Sequence, residues 1–351
     1  MDMKKDIGVA VIGVGMGSGM FALNRSGDHR MEVRGICSNS SEKLKKMAAQ
    51  WNIAYTTTDY KELVKRKDVD VVAVYSPDHL HYEHAKAALQ AGKHVICTKP
   101  MTNNLDQAKE LVDLVRKTGL KLLVGQTMRY DPQMTTAKRF QEDGEIGDVL
   151  FAEAHYVHDI RPIFPLTPWR LHAPQDFMFG GVCHPVDVLR WFLGDIDEVH
   201  AYGNHGNLTP GYKLMDNFCL NVKFKSGVIG RILGIYGVIE PPEPMMKLSL
   251  YGSKMNVLST FSDNLGGQVK LVWDKVEYRP TATMDFPAEH GIDVYGHTKS
   301  ILRYCKHFEE CLDADREPSP SVVDGAKTVS AGDAAWTSIE EGRVVKVFNE
   351  F

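Results

Sequence analysis

The first part of the chain alternates two hydrophobic patterns. Short, mostly apolar runs stand at Ile7–Ile12, Met31–Cys37, Val69–Tyr75, Val95–Cys97 and Leu120–Val124. Between them, apolar positions recur at helical spacing in Ser41–Trp51, Tyr82–Ala91 and Leu105–Lys117, with Ser40 or Ser41 as cap of the first. Gly17–Arg25 reads as the opening turn of a further helix. A strand that is apolar nearly throughout is buried on both faces. Such strands alternating with helices predict a doubly wound parallel sheet.

The pattern changes after about Gly125. Asp131–Glu142 reads as a helix, Val149–His158 as a strand and Val182–Leu193 as an amphipathic helix. The stretch Arg161–Phe179 holds Pro162, Pro165, Pro168 and Pro174, and reads as a long loop, either a stiff lid or a plain surface connection. From Ile196 to about Tyr278, strand-like segments follow one another with turn signals at Lys225-Ser226-Gly227 and Tyr251-Gly252-Ser253. Two helices, Val294–Leu312 and Val322–Glu341, follow. The reading is an α/β protein of two domains, 1–125 and 126–351, the second an α/β domain around a large open, mostly antiparallel sheet. An open sheet of that kind needs a cover, which predicts a homo-oligomer: a dimer, tetramer or hexamer.

Composition narrows the function classes. A chain of 351 residues is long for one core, and 43% hydrophobic with 25% charged residues is a globular balance. A net charge of −4 without a basic block argues against nucleic acid as a partner. No apolar run approaches the roughly 20 residues that span a bilayer, so no membrane partner is expected. Lys4 and Lys5 precede apolar residues as in a signal peptide, but five glycines before Met20 fit a strand and turn better. The six cysteines form no CxxC pair, which points to reduced thiols, a cytoplasmic location and no metal site.

The chemistry begins at Gly13-Val14-Gly15-Met16-Gly17-Ser18-Gly19, between a strand and a helix. Gly13 permits a tight turn, and Gly15 lets backbone approach a pyrophosphate. Free N–H groups at Met16 and Gly17 then face the anion. Ser18 stands where the GxGxxG pattern usually has Gly or Ala, and is small enough to pack. At the end of the second strand, Ser38 and Asn39 stand where an NAD-selecting carboxylate is usual, with Lys43 one turn on. Ser38 and Lys43 suit a 2′-phosphate, while Lys43 equally suits a solvated helix face, so NAD and NADP both remain open.

Val74-Tyr75-Ser76-Pro77-Asp78-His79-Leu80-His81, Ala88-Leu89-Gln90-Ala91-Gly92-Lys93-His94-Val95 and Cys97-Thr98-Lys99-Pro100 follow in order. Further along come Val124-Gly125-Gln126, Arg129-Tyr130, Pro168-Trp169-Arg170, Gly180-Gly181 with His184 and Asp187, Asp324-Gly325 and Glu341-Gly342-Arg343. This set resembles the Gfo/Idh/MocA family, the glucose–fructose oxidoreductase and inositol 2-dehydrogenase-like oxidoreductases, over nearly the whole chain. The resemblance implies an N-terminal Rossmann domain and a C-terminal domain for substrate binding and oligomerisation. It also implies cofactor contacts from Ser76, Pro77, His81, Lys99, Gln126, Trp169 and Arg170.

It further implies that Lys99 is the catalytic lysine of an "EKP" motif, with Thr98 replacing the Glu. Physical chemistry supports the role. A partly desolvated lysine beside a cationic nicotinamide gives up its proton more readily, and can polarise or deprotonate an alcohol. In the family's DxxxHxxD stretch, His184 and Asp187 remain, but Gly180 stands at the first Asp. His184 is then the main general base, Asp187 an orienting residue, and Asp176, His158 or Asp159 a substitute carboxylate or partner. A polyol site needs hydrogen-bonding side chains and an aromatic face. The candidates are Lys99, Arg129, Tyr130, His155, His158, Arg161, Trp169, Arg170, His184, Asp216 and His297. His155 and His158 lie three apart in one strand, so at most one faces a given site.

The expected function is NAD(P)-dependent hydride transfer at a secondary alcohol or ketone of a sugar, glycoside or cyclitol, with C3 of a glucoside as one such carbon. Redox-assisted glycoside cleavage with recycled NAD is a second enzymatic reading. A non-catalytic dinucleotide-binding regulator is the reading from another class; retention of Lys99 and His184 favours an enzyme.

Overall fold

The computed structural model describes residues 5–262, 266–273, 281–286 and 298–351. Two compact units result: Met1–Thr127 with Glu289–Ala326 and Phe351, and Met128–Ala288 with Lys327–Glu350. His297, a substrate candidate, lies outside the described residues.

The first unit holds a six-stranded parallel sheet of β1 (Ile7–Ile12), β2 (Met31–Cys37), β3 (Tyr55–Thr57), β4 (Val71–Val74), β5 (His94–Thr98) and β6 (Leu122–Gly125). Their order is β3-β2-β1-β4-β5-β6, so the chain reverses direction across the sheet between β1 and β4. That is the Rossmann order, with its ligand crevice at the reversal. Every residue of β1 and β4 is buried, as apolar runs covered on both faces require. The connecting helices are α1 (Ser41–Trp51), α2 (Tyr60–Val64), α3 (His81–Gln90) and α4 (Leu105–Thr118). Ser40 caps α1 by accepting from the Lys43 N–H, and Asn104 caps α4 the same way.

Met16–Asn24 differs from the expected α-helix and forms a 3-10 helix. Three of its first residues are glycine or serine, which are weak helix formers. The Ser18 N–H and Oγ both donate back to the Gly15 carbonyl, tightening the turn.

The second unit opens with α5 (Pro132–Glu142), β7 (Val149–Val157), α6 (Trp169–His172), α7 (Phe177–Gly180) and α8 (Cys183–Leu193). The expected loop from Arg161 thus contains short helical turns, with Pro162 and Pro168 at their starts, where proline's fixed φ suits a first turn. Strands β8 (Ile196–Asn204), β9 (Asn217–Phe224), β10 (Ile229–Ile235), β11 (Met246–Gly252), β12 (Met255–Ser262), β13 (Gly266–Trp273) and β14 (Ala282–Phe286) follow. After α9 (Thr298–Asp313) and α10 (Val322–Glu341), β15 (Val345–Lys346) adds an edge. Among the described residues the sheet runs β14-β13-β12-β11-β7-β10-β9-β8-β15, antiparallel except where β10 meets β7. Alternate residues of β9 (Phe218, Leu220, Val222 and Phe224) are buried in the core with Val186, Leu189 and Phe192 of α8.

The expected boundary at residue 125 requires one correction. Helix α9, assigned to the second domain from sequence, packs in the first unit. Glu309 accepts from the Arg30 and Met31 N–H groups and faces His29, Arg30 pairs with Asp313, and the Tyr75 and Tyr304 hydroxyls meet.

Candidate active site

In the first unit the chemistry gathers at the carboxyl ends of the parallel strands. Gly13 follows β1 with φ +98°, and a Cβ there would lie 2.3 Å from the Tyr75 carbonyl oxygen. Only glycine fits both constraints. Gly15 is the opposite case: a Cβ would project into open space, with no atom within 4 Å. Gly17 is buried, and a Cβ there would press on Val11 and Tyr75. Met16 starts the 3-10 helix. A bare backbone edge at Gly15 beside a tight turn is what a pyrophosphate requires.

Gln126, just past β6, is 2% exposed, and its Oε1 has no hydrogen-bond partner. A buried carbonyl without a donor fits a ligand that brings one. Lys99, half-buried, follows β5 beside the buried Thr98. Ser38 and Asn39 follow β2, and Lys43 is exposed on α1. The structure brings a feature to this end that sequence reading missed: Asp59 and Glu62. Burial, then these two carboxylates, push the Cys37 thiol up to about 11. Glu62 is fixed by the Thr57 hydroxyl at 2.9 Å, while the Thr57 carbonyl accepts from the Ser38 N–H.

His81 does not face open space. It is fully buried, with Nδ1 2.6 Å from the Pro100 oxygen and Nε2 2.7 Å from the Ser76 oxygen. His84 Nδ1 lies 2.8 Å from Ser76 Oγ, and burial pushes that imidazole down to about 4.

In the second unit, His184 lies in the first turn of α8 at 2% exposure. Its ring meets Tyr156 edge-on at 5.5 Å, and Tyr156 stacks on His158, whose Nδ1 is 3.2 Å from the Tyr156 hydroxyl. His155 points to the opposite sheet face, as alternation requires. Its Nε2 is 2.9 Å from the Pro244 oxygen and its Nδ1 3.6 Å from Glu243, so this candidate does not join His184.

Asp187 and Arg129 form a buried two-pronged pair, with both bonds at 2.7 Å. Arg129 is thereby a support for α8. Tyr130 is half-buried beside it in sequence. Arg170 is buried, donates to Thr167 Oγ1 at 2.9 Å and lies 4.7 Å over the half-buried Trp169 ring. Asp216, 1% exposed, accepts from the Gly206 N–H.

Three carboxyl or imidazole groups were expected as substitutes at Gly180. Asp176 caps α7 and accepts from the Trp336 indole, and Asp159 is gripped by Arg161, which holds its carboxyl down at about 2. His158 lies against Tyr156, the ring that meets His184. The space a side chain at 180 would enter is filled by Gln175: a Cβ there would lie 2.5 Å from Gln175 Nε2. No sequence motif marks Gln175, because the approach depends on the turn between α6 and α7.

A Rossmann sheet with a glycine cradle at its reversal defines a dinucleotide-binding oxidoreductase, and family comparison agrees. Residues 7–126 match the oxidoreductase family with an NAD-binding Rossmann fold, and residues 134–257 match the GFO/IDH/MocA C-terminal domain. The chain belongs to the GFO/IDH/MocA oxidoreductase family, as its motifs led us to expect. It is 34% identical to the uncharacterized oxidoreductase YrbE of Bacillus subtilis, over 98% of each chain. It is 30% identical to levoglucosan dehydrogenase of Pseudarthrobacter phenanthrenivorans over 87% of each. A solved levoglucosan dehydrogenase in complex with NADH shares the fold with a TM-score of 0.86 at 23% identity, over 98% of this chain and 100% of that one.

Proposed function

We propose that the chain is an NAD-dependent dehydrogenase or reductase acting on a secondary alcohol or ketone of a sugar, glycoside or cyclitol ring. The carrying observation is the strand-end constellation of the first unit: the Gly13 turn, the open edge at Gly15, the orphan Gln126 oxygen and Lys99. Gly13, Gly15, Met16 and Gly17 hold the pyrophosphate, and Ser76, Pro77, Lys99, Gln126, Trp169 and Arg170 serve the nicotinamide half. The bound nicotinamide supplies the hydride acceptor or donor.

His184 takes the hydroxyl proton, and Lys99 polarises the oxygen that carries it. Arg129 fixes the turn of α8 that carries His184 by neutralising Asp187. His158 and Trp169 offer the polyol a hydrogen-bonding and an aromatic surface. Gln175 gives a neutral amide where a carboxylate would otherwise stand, so proton transfer falls to the imidazole.

NAD is the favoured dinucleotide, because Asp59 and Glu62 place negative charge near the end of β2, where a 2′-phosphate would have to be held. Tyr202, Ile229 and Tyr251 are exposed on the face of the large sheet that its helices leave uncovered. A second copy covering them makes the protein a homo-oligomer. Six free cysteines agree with a cytoplasmic setting.

The test is absorbance at the reduced-nicotinamide band with D-glucose, levoglucosan and myo-inositol, using NAD and NADP. Turnover is expected with NAD. Lys99→Met should lower kcat at least ~1,000-fold with NADH binding kept within about threefold. Equal turnover in that variant removes Lys99 from the mechanism, and NADP preference overturns the Asp59–Glu62 argument.

A further inference from the structure

We propose that His81 is a positioning residue for the reaction: its imidazole ties the segment after β4 to the segment after β5 and thereby fixes where Lys99 stands. The proposal rests on Lys99 acting at the substrate oxygen.

The backbone ladder between β4 and β5 ends at Val74 and Cys97. Beyond that pair the two chains run on to Ser76 and to Lys99-Pro100 with no ladder bond between them. Each segment keeps one further bond on its outer side, Thr98 in the β6 ladder and the Tyr75 N–H on the Ile12 carbonyl, but the two are not joined to each other by the sheet. His81 joins them from the first residue of α3, with one ring nitrogen on the Ser76 oxygen and the other on the Pro100 oxygen. Both partners are carbonyls and only accept, so the ring donates to both when it carries two N–H groups and to one when it carries one; in either case it is a rigid plane wedged between the two oxygens that fixes their separation. Lys99 is the residue immediately before the anchored Pro100. Because both nitrogens are engaged and the ring is fully buried, His81 touches no ligand itself.

A second histidine steadies the same point. His84, one helical turn on and on the same face of α3, meets Ser76 Oγ, and the Tyr60 ring packs against it at 4.4 Å. Tyr60 is held in turn by Glu83. Ser76 is therefore held through both its carbonyl and its hydroxyl. Rates of oriented reactions fall about 100-fold for displacements near 1 Å, so slack of that order at Lys99 is visible in kcat.

The test uses the full chain, with His81→Gln, long enough to keep one of the two bonds, and His81→Ala, which keeps neither. Measured are kcat and KM with the polyol of the panel that turns over fastest, NADH Kd by fluorescence, the pH profile of kcat, and thermal unfolding. Expected are kcat losses of about 10-fold for Gln and about 100-fold for Ala, a displaced pH profile, and Kd and KM within about threefold. Folded variants with unchanged kcat and pH profile overturn the proposal. So does a parallel loss of kcat and NADH affinity, and so does failure of both variants to fold, which would make His81 a stability residue only. Turnover surviving Lys99→Met removes the underlying reading; unchanged kinetics in His81→Gln beside an inactive Lys99→Met removes the brace alone.

Discussion

The two units put function on their sheets in different ways. The parallel sheet of the first is buried on both faces, so only its strand ends are open, and the residues there are largely backbone: Gly13, Gly15, and the carbonyls of Ser76 and Pro100. The sheet of the second is covered by helices on one face, and its candidate groups are side chains held by other side chains. His184 packs on Tyr156, and Asp187 is clamped by Arg129. A site made of backbone is set by conformation and tolerates no added atom at its turns. A site made of side chains is set by ion pairs and ring packing, and fails when a partner is removed.

Five substitutions probe that difference. Gly13→Ala adds a methyl 2.3 Å from a carbonyl at φ +98° and should weaken NADH binding more than ~100-fold, read by fluorescence titration. Gly15→Val, with open space around it, should leave urea unfolding within ~0.5 kcal/mol yet also impair NADH binding, sharpening the contrast between a turn glycine and a cradle glycine. In the second unit, Asp187→Ala removes the carboxylate that pairs twice with the buried Arg129 and should cost about 3–5 kcal/mol in urea unfolding. Ser40→Ala removes the cap of α1 and should cost ~1 kcal/mol by the same measurement.

The effect confined to one pH window is the pH dependence from His84. Its folded pKa of about 4 lies below the ordinary 6.5, so between those values the unfolded chain binds the proton and the folded one does not. Stability therefore falls as pH drops from 6.5 toward 4 and levels off below. His84→Gln should show a shallower fall of Tm across that window, and an identical slope would remove His84 as its source.

Much of the first unit was legible because its chemistry is local. Ile7–Ile12, Met31–Cys37 and Ser41–Trp51 match their expected bounds, since a mostly apolar run and a capping serine both declare themselves within a few residues. The strand β3 was missed because three residues carry no period, and β15 for the same reason. In the second unit the alternation in β7 correctly separated His155 from His158. The Arg129–Asp187 pair and the approach of Gln175 to Gly180 were invisible, because each joins positions that only the folded chain brings together. Asp59 and Glu62 were missed for that reason too. The NAD–NADP reading looked along the chain after β2, whereas the charge arrives from β3 and α2 next door.

The return of α9 to the first unit has a consequence for how the protein is made. The Tyr75–Tyr304 contact and the pairs of His29 and Arg30 with Glu309 and Asp313 join the beginning of the chain to residues that leave the ribosome some 230 to 280 positions later. During synthesis the nucleotide-binding half must wait, with the 3-10 helix Met16–Asn24 lacking its α9 cover, until the large sheet through β14 has emerged. A fragment cut at residue 125 would reproduce that waiting state.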